Sequence, residues 1–391
     1  MPHYRKVGEV PRKRHLRVPQ HGGDGERFLF EELMGEEGFS SDSALLYHRH
    51  SPSAIVAAER LADPAAVEWT ADGALLPRHL RTTKLPGGGD PVLGRARLLG
   101  NADVVISWVA AERDSAVYRN ATGDELFYVH DGEATVETSF GALGVGPGDY
   151  VVLPAACTHR WRLDGHRLQA LVLEMAGHVR FPTRYLSETG QLKEGAPFSE
   201  RDVRAPEEPL HVEGTDVEVL VRSADGLTRH VHAQHPFDVT GWDGCLYPYA
   251  LSIHDFEPVV GAVHQPPPVH QTFAGPSLVV CSFVPRPFDF HPDAIKVPYH
   301  HANVDSDEVI FYAHGDFMSR AGSGIGAGSI SLHPPGFVHG PQPGSMERAI
   351  DADRTEELAV MVDTFHRLRL STLAAEIADD DYPWTWAGRR L

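Results

Sequence analysis

Apolar residues come in short runs along this chain. Runs of Val, Ile, Leu and Phe alternate with clusters of Gly, Pro, Asp and Asn, and no heptad or long helical repeat links them. That pattern predicts strands joined by tight turns, hence an all-β protein with few helices. Two runs share a setting. Leu126–Val129 follows Glu125 and ends at Asp131-Gly132, while Val309–Tyr312 follows Glu308 and ends at His314-Gly315.

The likeness extends on both sides and reads as one unit used twice. The first copy runs Asn120, Glu125, Gly132, then Gly148, Pro154, Ala156 and His159. The second runs Asn303, Glu308, Gly315, then Gly328, Pro334, Gly336 and His339, with the same spacings inside each motif. The expected halves are 1–225, with an N-terminal arm, and 226–391.

The copies differ in chemistry. In the second, His301, Glu308 and His339 offer two imidazoles and a carboxylate, a set that suits Fe(II) with open positions on one face. Manganese, cobalt, nickel and zinc suit the same donors. His300 and His301 point to opposite strand faces, as do Asp307 and Glu308. His301 is chosen because it shares a face with Asn303, and Glu308 because it keeps its spacing to Gly315. Asp305 and Asp307 are expected to be solvated or supporting groups. In the first copy Tyr118 replaces the histidine. Glu125 and His159 alone are expected to be hydrogen-bonded remnants, since transition-metal sites need about three ligands.

Composition narrows the partners. The chain has 391 residues, 42% of them hydrophobic, and a net charge of −19. The acidity excludes nucleic acid and anionic membrane as expected partners. The basic arm of Arg5, Lys6, Arg12, Lys13, Arg14 and Arg17 reads as solvated or subunit-docking. No stretch approaches the ~18 apolar residues of a membrane span, and no apolar signal core opens the chain, so a cytoplasmic protein is expected. The three cysteines form no disulfide framework or zinc motif. Cys157 and Cys281 read as small core residues.

The paired motifs resemble the cupin superfamily, whose fold is a double-stranded β-helix, and the chain reads as a bicupin of two jelly-roll barrels. Further segments resemble the homogentisate 1,2-dioxygenase family. These are Pro236-Phe237 through Trp242 and Gly244 to Pro248-Tyr249, then His264 with Pro267, then Tyr299 to Asn303, then Ser331-Leu332-His333 with His339-Gly340-Pro341. Glu174 to Pro182 is a looser likeness in the first half.

The resemblance implies an Fe(II)-dependent opening of a hydroxylated aromatic ring. Its substrates would be a small aromatic acid and O2. For homogentisate the product would be maleylacetoacetate, in tyrosine and phenylalanine catabolism. It also implies iron on His301, Glu308 and His339, with His264 as base or hydrogen-bond donor to the substrate phenolate and His333 lining the pocket. A homo-oligomer is expected. Phe317 replaces a tyrosine that contacts substrate in family members, which suggests another ring, such as gentisate, as a rival substrate. A metal bicupin acting as isomerase or decarboxylase is a further alternative. His270 rivals His264 as the base. Arg286, Lys296 and Arg320 are candidates to meet a substrate carboxylate, each read more readily as a surface charge.

Overall fold

The apolar runs are strands, and they are apolar throughout because both of their faces are buried. The protein is described here from a computed structural model covering residues 3–20, 28–63, 67–71 and 73–388. In the strand Glu125–Asp131, Leu126 and Tyr128 enter a large core shared by both halves. Phe127 and Val129 enter a separate core inside the first barrel. The strand Asp307–His314 divides likewise: Val309 and Phe311 join the shared core, Ile310 and Tyr312 the second barrel's interior. Successive strand side chains face opposite ways, so each run serves two cores.

The first barrel closes with two sheets. One contains Gly141–Val145, Ala134–Thr138, His159–Leu163 and Tyr118–Asn120, extended by Thr215–Ser223, Gly226–Gln234 and Ile55–Leu61. The other is built around Asp149–Leu153, Glu125–Asp131, Leu168–Met175 and Val104–Ala111. The second barrel has a six-stranded sheet in which Asp307–His314 lies between Leu358–Thr364 and Ser329–His333. The two-stranded ladder of Arg286–Pro287 on Arg354–Thr355 and long connections complete it. This is the all-β bicupin that the repeat predicts.

The two barrels pack sheet to sheet. Trp108 meets Phe311 at 5.3 Å between ring centroids, and Tyr150 meets Phe273 at 5.3 Å. The Tyr150 and Ser282 hydroxyls pair at 2.8 Å across the same seam. Each large side chain buried there contributes roughly 1.5–3 kcal/mol. Equivalent glycines turn both motif strands. A Cβ on Gly132 (φ +88) would sit 2.1 Å from the Arg167 carbonyl, and one on Gly315 (φ +112) 2.3 Å from that of Glu356.

The halves do not divide at residue 225. Gly226–Gln234 is the second arm of a hairpin begun by Thr215–Ser223, and Tyr249–Ser252 pairs with Asp149–Leu153, so the first barrel claims strands through Ser252. Strands also cross between halves: Arg78–Arg81 joins Ser329–His333, and Arg369–Leu370 joins Ala96–Gly100. Alternation shows that a segment is a strand, not which sheet it joins.

Part of the basic arm docks on its own chain. Arg5–Gly8 pairs with Val239–Gly244, and Arg14 meets Asp243 at 2.6 Å. Cys157 and Cys281 are buried free thiols, pushed well above their usual pKa by burial. Residues 21–27 lie outside the described residues; the strands Phe30–Gly35 and Ser43–His48 follow them, and near the C-terminus lie the short helix Ser345–Arg348 and the strand Arg354–Thr355. Among the described residues, no helix is long and apolar enough to cross a membrane.

Candidate metal centre

The backbone brings the three expected ligands together. His301 and His339 form an antiparallel bridge, with N···O distances of 2.8 and 2.9 Å in the two directions. Glu308 lies on the neighbouring strand, opposite His333 on one side and Asp363 on the other. The ligand atoms of His301, Glu308 and His339 all lie within 4.8 Å of one another.

Hydrogen bonding sets the tautomers. His301 Nδ1 lies 3.2 Å from the Tyr299 carbonyl, and His339 Nδ1 lies 3.0 Å from that of Phe337. A carbonyl oxygen can only accept, so each Nδ1 carries a proton and donates it. Each Nε2 then faces Glu308, at 3.3 Å from Oε2 for His301 and 3.1 Å from Oε1 for His339. In neutral rings these are lone pairs directed at a carboxylate, an arrangement that becomes attractive when a cation lies between them. A proton or a divalent metal ion meets that need, and the donor set fits the metal. The imidazoles hold Glu308 well below the usual carboxylate range despite its burial, and Glu308 raises His301 in return.

His333 supports the carboxylate and does not line the pocket. It is fully buried, with Nδ1 2.8 Å from Glu308 Oε1 and Nε2 3.0 Å from the Tyr382 hydroxyl. Its ring stacks on His339 at 4.1 Å. Burial pulls its pKa down to about 3, so it stays neutral, donates to Glu308 and accepts from Tyr382. The pocket-lining expectation fails because residue 333 shares Glu308's strand ladder and sits behind the carboxylate.

Phe317 is also displaced from its expected place. With φ at +43° it turns onto Tyr312 (ring centroids 5.1 Å apart), buried and outside the cavity wall. Asp307 accepts from the Leu368 backbone, on the strand face away from Glu308.

A cavity of about 330 Å³ opens beside Glu308 and His301, with Tyr312 and Asp363 in its wall. His264 lines it, with Nδ1 3.3 Å from Asp289 Oδ2 and its ring edge-on to Tyr299 at 5.1 Å. His270 lines it too, but burial holds it near a pKa of about 3, a weak base. Arg286, Lys296 and Arg320 are not surface charges: all three contribute to the cavity wall, and Arg320 is buried. Their chain positions looked exposed because Pro, Gly and Asp surround them, yet those loops form the cavity's walls.

Sequence reasoning missed Asp363 and Tyr382. Asp363 accepts from the Asn303 amide at 2.8 Å, and burial first, then Glu308, pushes its pKa up to about 7. A signal existed: the apolar runs Leu171–Leu173 and Val360–Val362 each end in an acid, Glu174 and Asp363, at matching places in the two barrels. Tyr382 is contributed by the C-terminal segment, which no repeat covers.

The same positions in the first barrel hold another cation. Tyr118 pairs with His159 as His301 does with His339. Arg95, fully buried, reaches Glu125 at 2.6 Å and Glu174 at 3.3 Å. Tyr118 and Asn120 also donate to Glu125, at 3.3 and 3.1 Å. One other donor trio occurs among the described residues, Glu36, Asp124 and His178. There Arg180 pairs with Glu36 at 2.8 Å, and Asp124 accepts from the Ala155 and Val179 backbone.

Two family models match the chain in tandem. The homogentisate 1,2-dioxygenase N-terminal model covers residues 92–253, and the C-terminal model covers residues 250–390. The chain belongs to the homogentisate 1,2-dioxygenase family. Its models meet where the first barrel's last strand ends. A Saccharolobus solfataricus protein named "putative dioxygenase" is 38% identical over 387 residues, 98% of each chain. Homogentisate 1,2-dioxygenase of Rhodopseudomonas palustris is 25% identical, over 83% of this chain and 74% of that one. That of Emericella nidulans is 25% identical over 68% and 60%. Among solved structures, a cupin 2 conserved barrel domain protein from Leptotrichia buccalis is 10% identical over 74% of this chain and 96% of that one, with a TM-score of 0.37. Membership in the homogentisate 1,2-dioxygenase family makes the protein a ring-cleaving dioxygenase.

Proposed function

We propose that the protein uses Fe(II), held by His301, Glu308 and His339, to open the ring of homogentisate with O2, giving maleylacetoacetate. One observation carries the reading: two imidazole Nε2 atoms and a carboxylate converge beside a cavity sized for a small aromatic acid. Bound Fe(II) would supply a place where phenolate and dioxygen meet, and would acidify the phenol. The chain's residues do the rest. His301 and His339 are fixed as Nε2 donors by the Tyr299 and Phe337 carbonyls. His333 and Tyr382 hold Glu308 in place. His264, oriented by Asp289, has its second nitrogen free to take the phenol proton or to donate to the phenolate. The apolar wall of Val269, Phe283 and Ile295 seats the ring.

The case for a different ring was the lost hydroxyl at Phe317, and it weakens because Phe317 packs outside the cavity wall. The test is oxygen uptake by anaerobically Fe(II)-loaded protein, offered homogentisate and then gentisate, with product absorbance followed in parallel. One O2 consumed per homogentisate supports the reading. Uptake on gentisate alone moves the substrate. No uptake with metal bound rejects iron-dependent ring cleavage.

A further inference from the structure

Among the described residues, Arg286, Arg320 and Lys296 in the cavity wall each lack a carboxylate in contact, and of the two guanidiniums Arg286 commits the fewer donors to the protein. Arg286 lies on the short ladder with Arg354–Thr355 and donates from Nη1 to the Val284 carbonyl at 3.1 Å. No carboxylate among the described residues comes within the 4.0 Å of an ion pair. A guanidinium carries five N–H donors in a planar fork, a shape that matches a carboxylate. Burial pulls the Arg286 pKa down, and Glu357 and Asp289 oppose that only in part. A partly buried cation without a contacting counter-charge costs free energy until an anion joins it.

The other two cations also meet only neutral groups, but Arg320 commits two of its donors and Lys296 has no planar fork. Arg320 donates from Nε to the Tyr312 hydroxyl at 3.1 Å and from Nη1 to the Gly340 carbonyl at 2.7 Å. Lys296 donates to the Asp289 carbonyl at 2.7 Å. Glu357 shares the wall with Arg286 without contacting it; burial raises its pKa, and the Arg286 and Arg320 charges oppose that rise. Around these groups the wall is apolar, with Val259, Val269, Phe283 and Ile295. The cavity therefore offers an apolar slot with a metal-ligand face and a separate guanidinium with most of its donors uncommitted.

We propose that Arg286 receives the carboxylate of an aromatic acid and so sets the orientation of the ring against His301 and Glu308. The substrate class rests on the ring-cleavage reading above; the carboxylate contact itself does not. Arg286 is a substrate-binding and specificity residue on this account, and the metal ligands are separate from it.

The test compares R286Q and R286K with the unaltered enzyme on homogentisate and on hydroquinone, the same ring without the acid. Loss of a charge-assisted pair predicts a fall of about 10–100-fold in the homogentisate-to-hydroquinone ratio of kcat/KM for R286Q, expressed chiefly in KM. R286K keeps the charge without the fork and recovers part of the ratio. Equal losses on both rings would overturn the proposal, because they mark a structural role. A second arm measures binding of 4-hydroxyphenylacetate to anaerobic Fe(II)-loaded protein by calorimetry. At least about tenfold weaker binding by R286Q, the loss of one charge-assisted pair, supports the site. Equal binding, or none by the unaltered protein, overturns it. Arg286-dependent binding by a protein that cleaves neither ring supports the carboxylate site and refutes the ring-cleavage reading.

Discussion

In the first barrel Glu125 faces a guanidinium, whereas in the second Glu308 faces three imidazoles. The surrounding positions correspond. Tyr118 answers to His301, Leu153 to His333 and Glu174 to Asp363, each by strand register. Both barrels therefore set two acids side by side on adjacent strands. The first neutralises them with Arg95, a cation it carries covalently. The second has no guanidinium between Glu308 and Asp363 among the described residues, and instead presents Nε2 lone pairs, which suits an exchangeable cation. The interiors follow suit. The first is filled by Phe127, Trp161, Val136 and Val172 between two sheets. The second has one broad sheet, a small buried cluster and a cavity. A duplicated scaffold can thus keep one barrel as structure and leave the other open for chemistry.

The comparison breaks most severely if Glu308 is not a ligand. Glu308→Ala is expected to abolish stoichiometric iron and with it oxygen uptake, while Glu125→Ala leaves iron content intact. Metal analysis after gel filtration decides this, and full iron in Glu308→Ala would end the assignment. Next in size is Arg95→Ala. Breaking a buried ion pair by removing one partner costs about 3–5 kcal/mol, so the urea midpoint should drop sharply. An unchanged midpoint would show that Arg95 is not the first barrel's resident cation.

His333→Leu places in the second barrel the residue type that the first has at Leu153. Glu308 loses its shortest imidazole contact, and metal affinity should fall about 10–100-fold, read by competition with a chelator. Unaltered affinity would reduce His333 to packing. A gain of function sharpens the contrast further. Tyr118→His combined with Arg95→Ala gives the first barrel a second imidazole alongside Glu125 and His159 and removes its guanidinium. A second metal equivalent is expected in that double variant, whereas Tyr118→His alone yields none. A second equivalent in the single variant would contradict the claim that Arg95 occupies the place. The smallest effect belongs to Phe317→Tyr. Since that side chain lies outside the cavity wall, kcat/KM for homogentisate should change by less than about threefold, well below what loss of one substrate hydrogen bond produces. A larger gain would return residue 317 to the substrate site.

Much of this was legible in the residues. Apolar runs bounded by turn residues gave strands, and the repeated Glu-to-Gly and Gly-to-His spacings gave two barrels and the His301, Glu308 and His339 trio. Spacing works there because strand period and turn length convert sequence separation directly into direction. It fails where contact depends on distant segments. Arg95 lies thirty positions before Glu125, outside any repeat, and Tyr382 reaches His333 from the far end of the chain. His333 had the right residue type, but only the ladder showed that it sits behind Glu308. Arg286 looked like a surface charge because its neighbours are prolines, and only the folded loops close around it.

The sequence by itself therefore determined the strands, their duplication and the donor set, since these depend on local periodicity and residue chemistry. The tertiary structure decided which barrel carries its own cation, which histidines face the cavity and which arginine there keeps most of its donors uncommitted. Those outcomes depend on which groups meet across long stretches of chain, and on the free-energy cost of burying a charge without its partner.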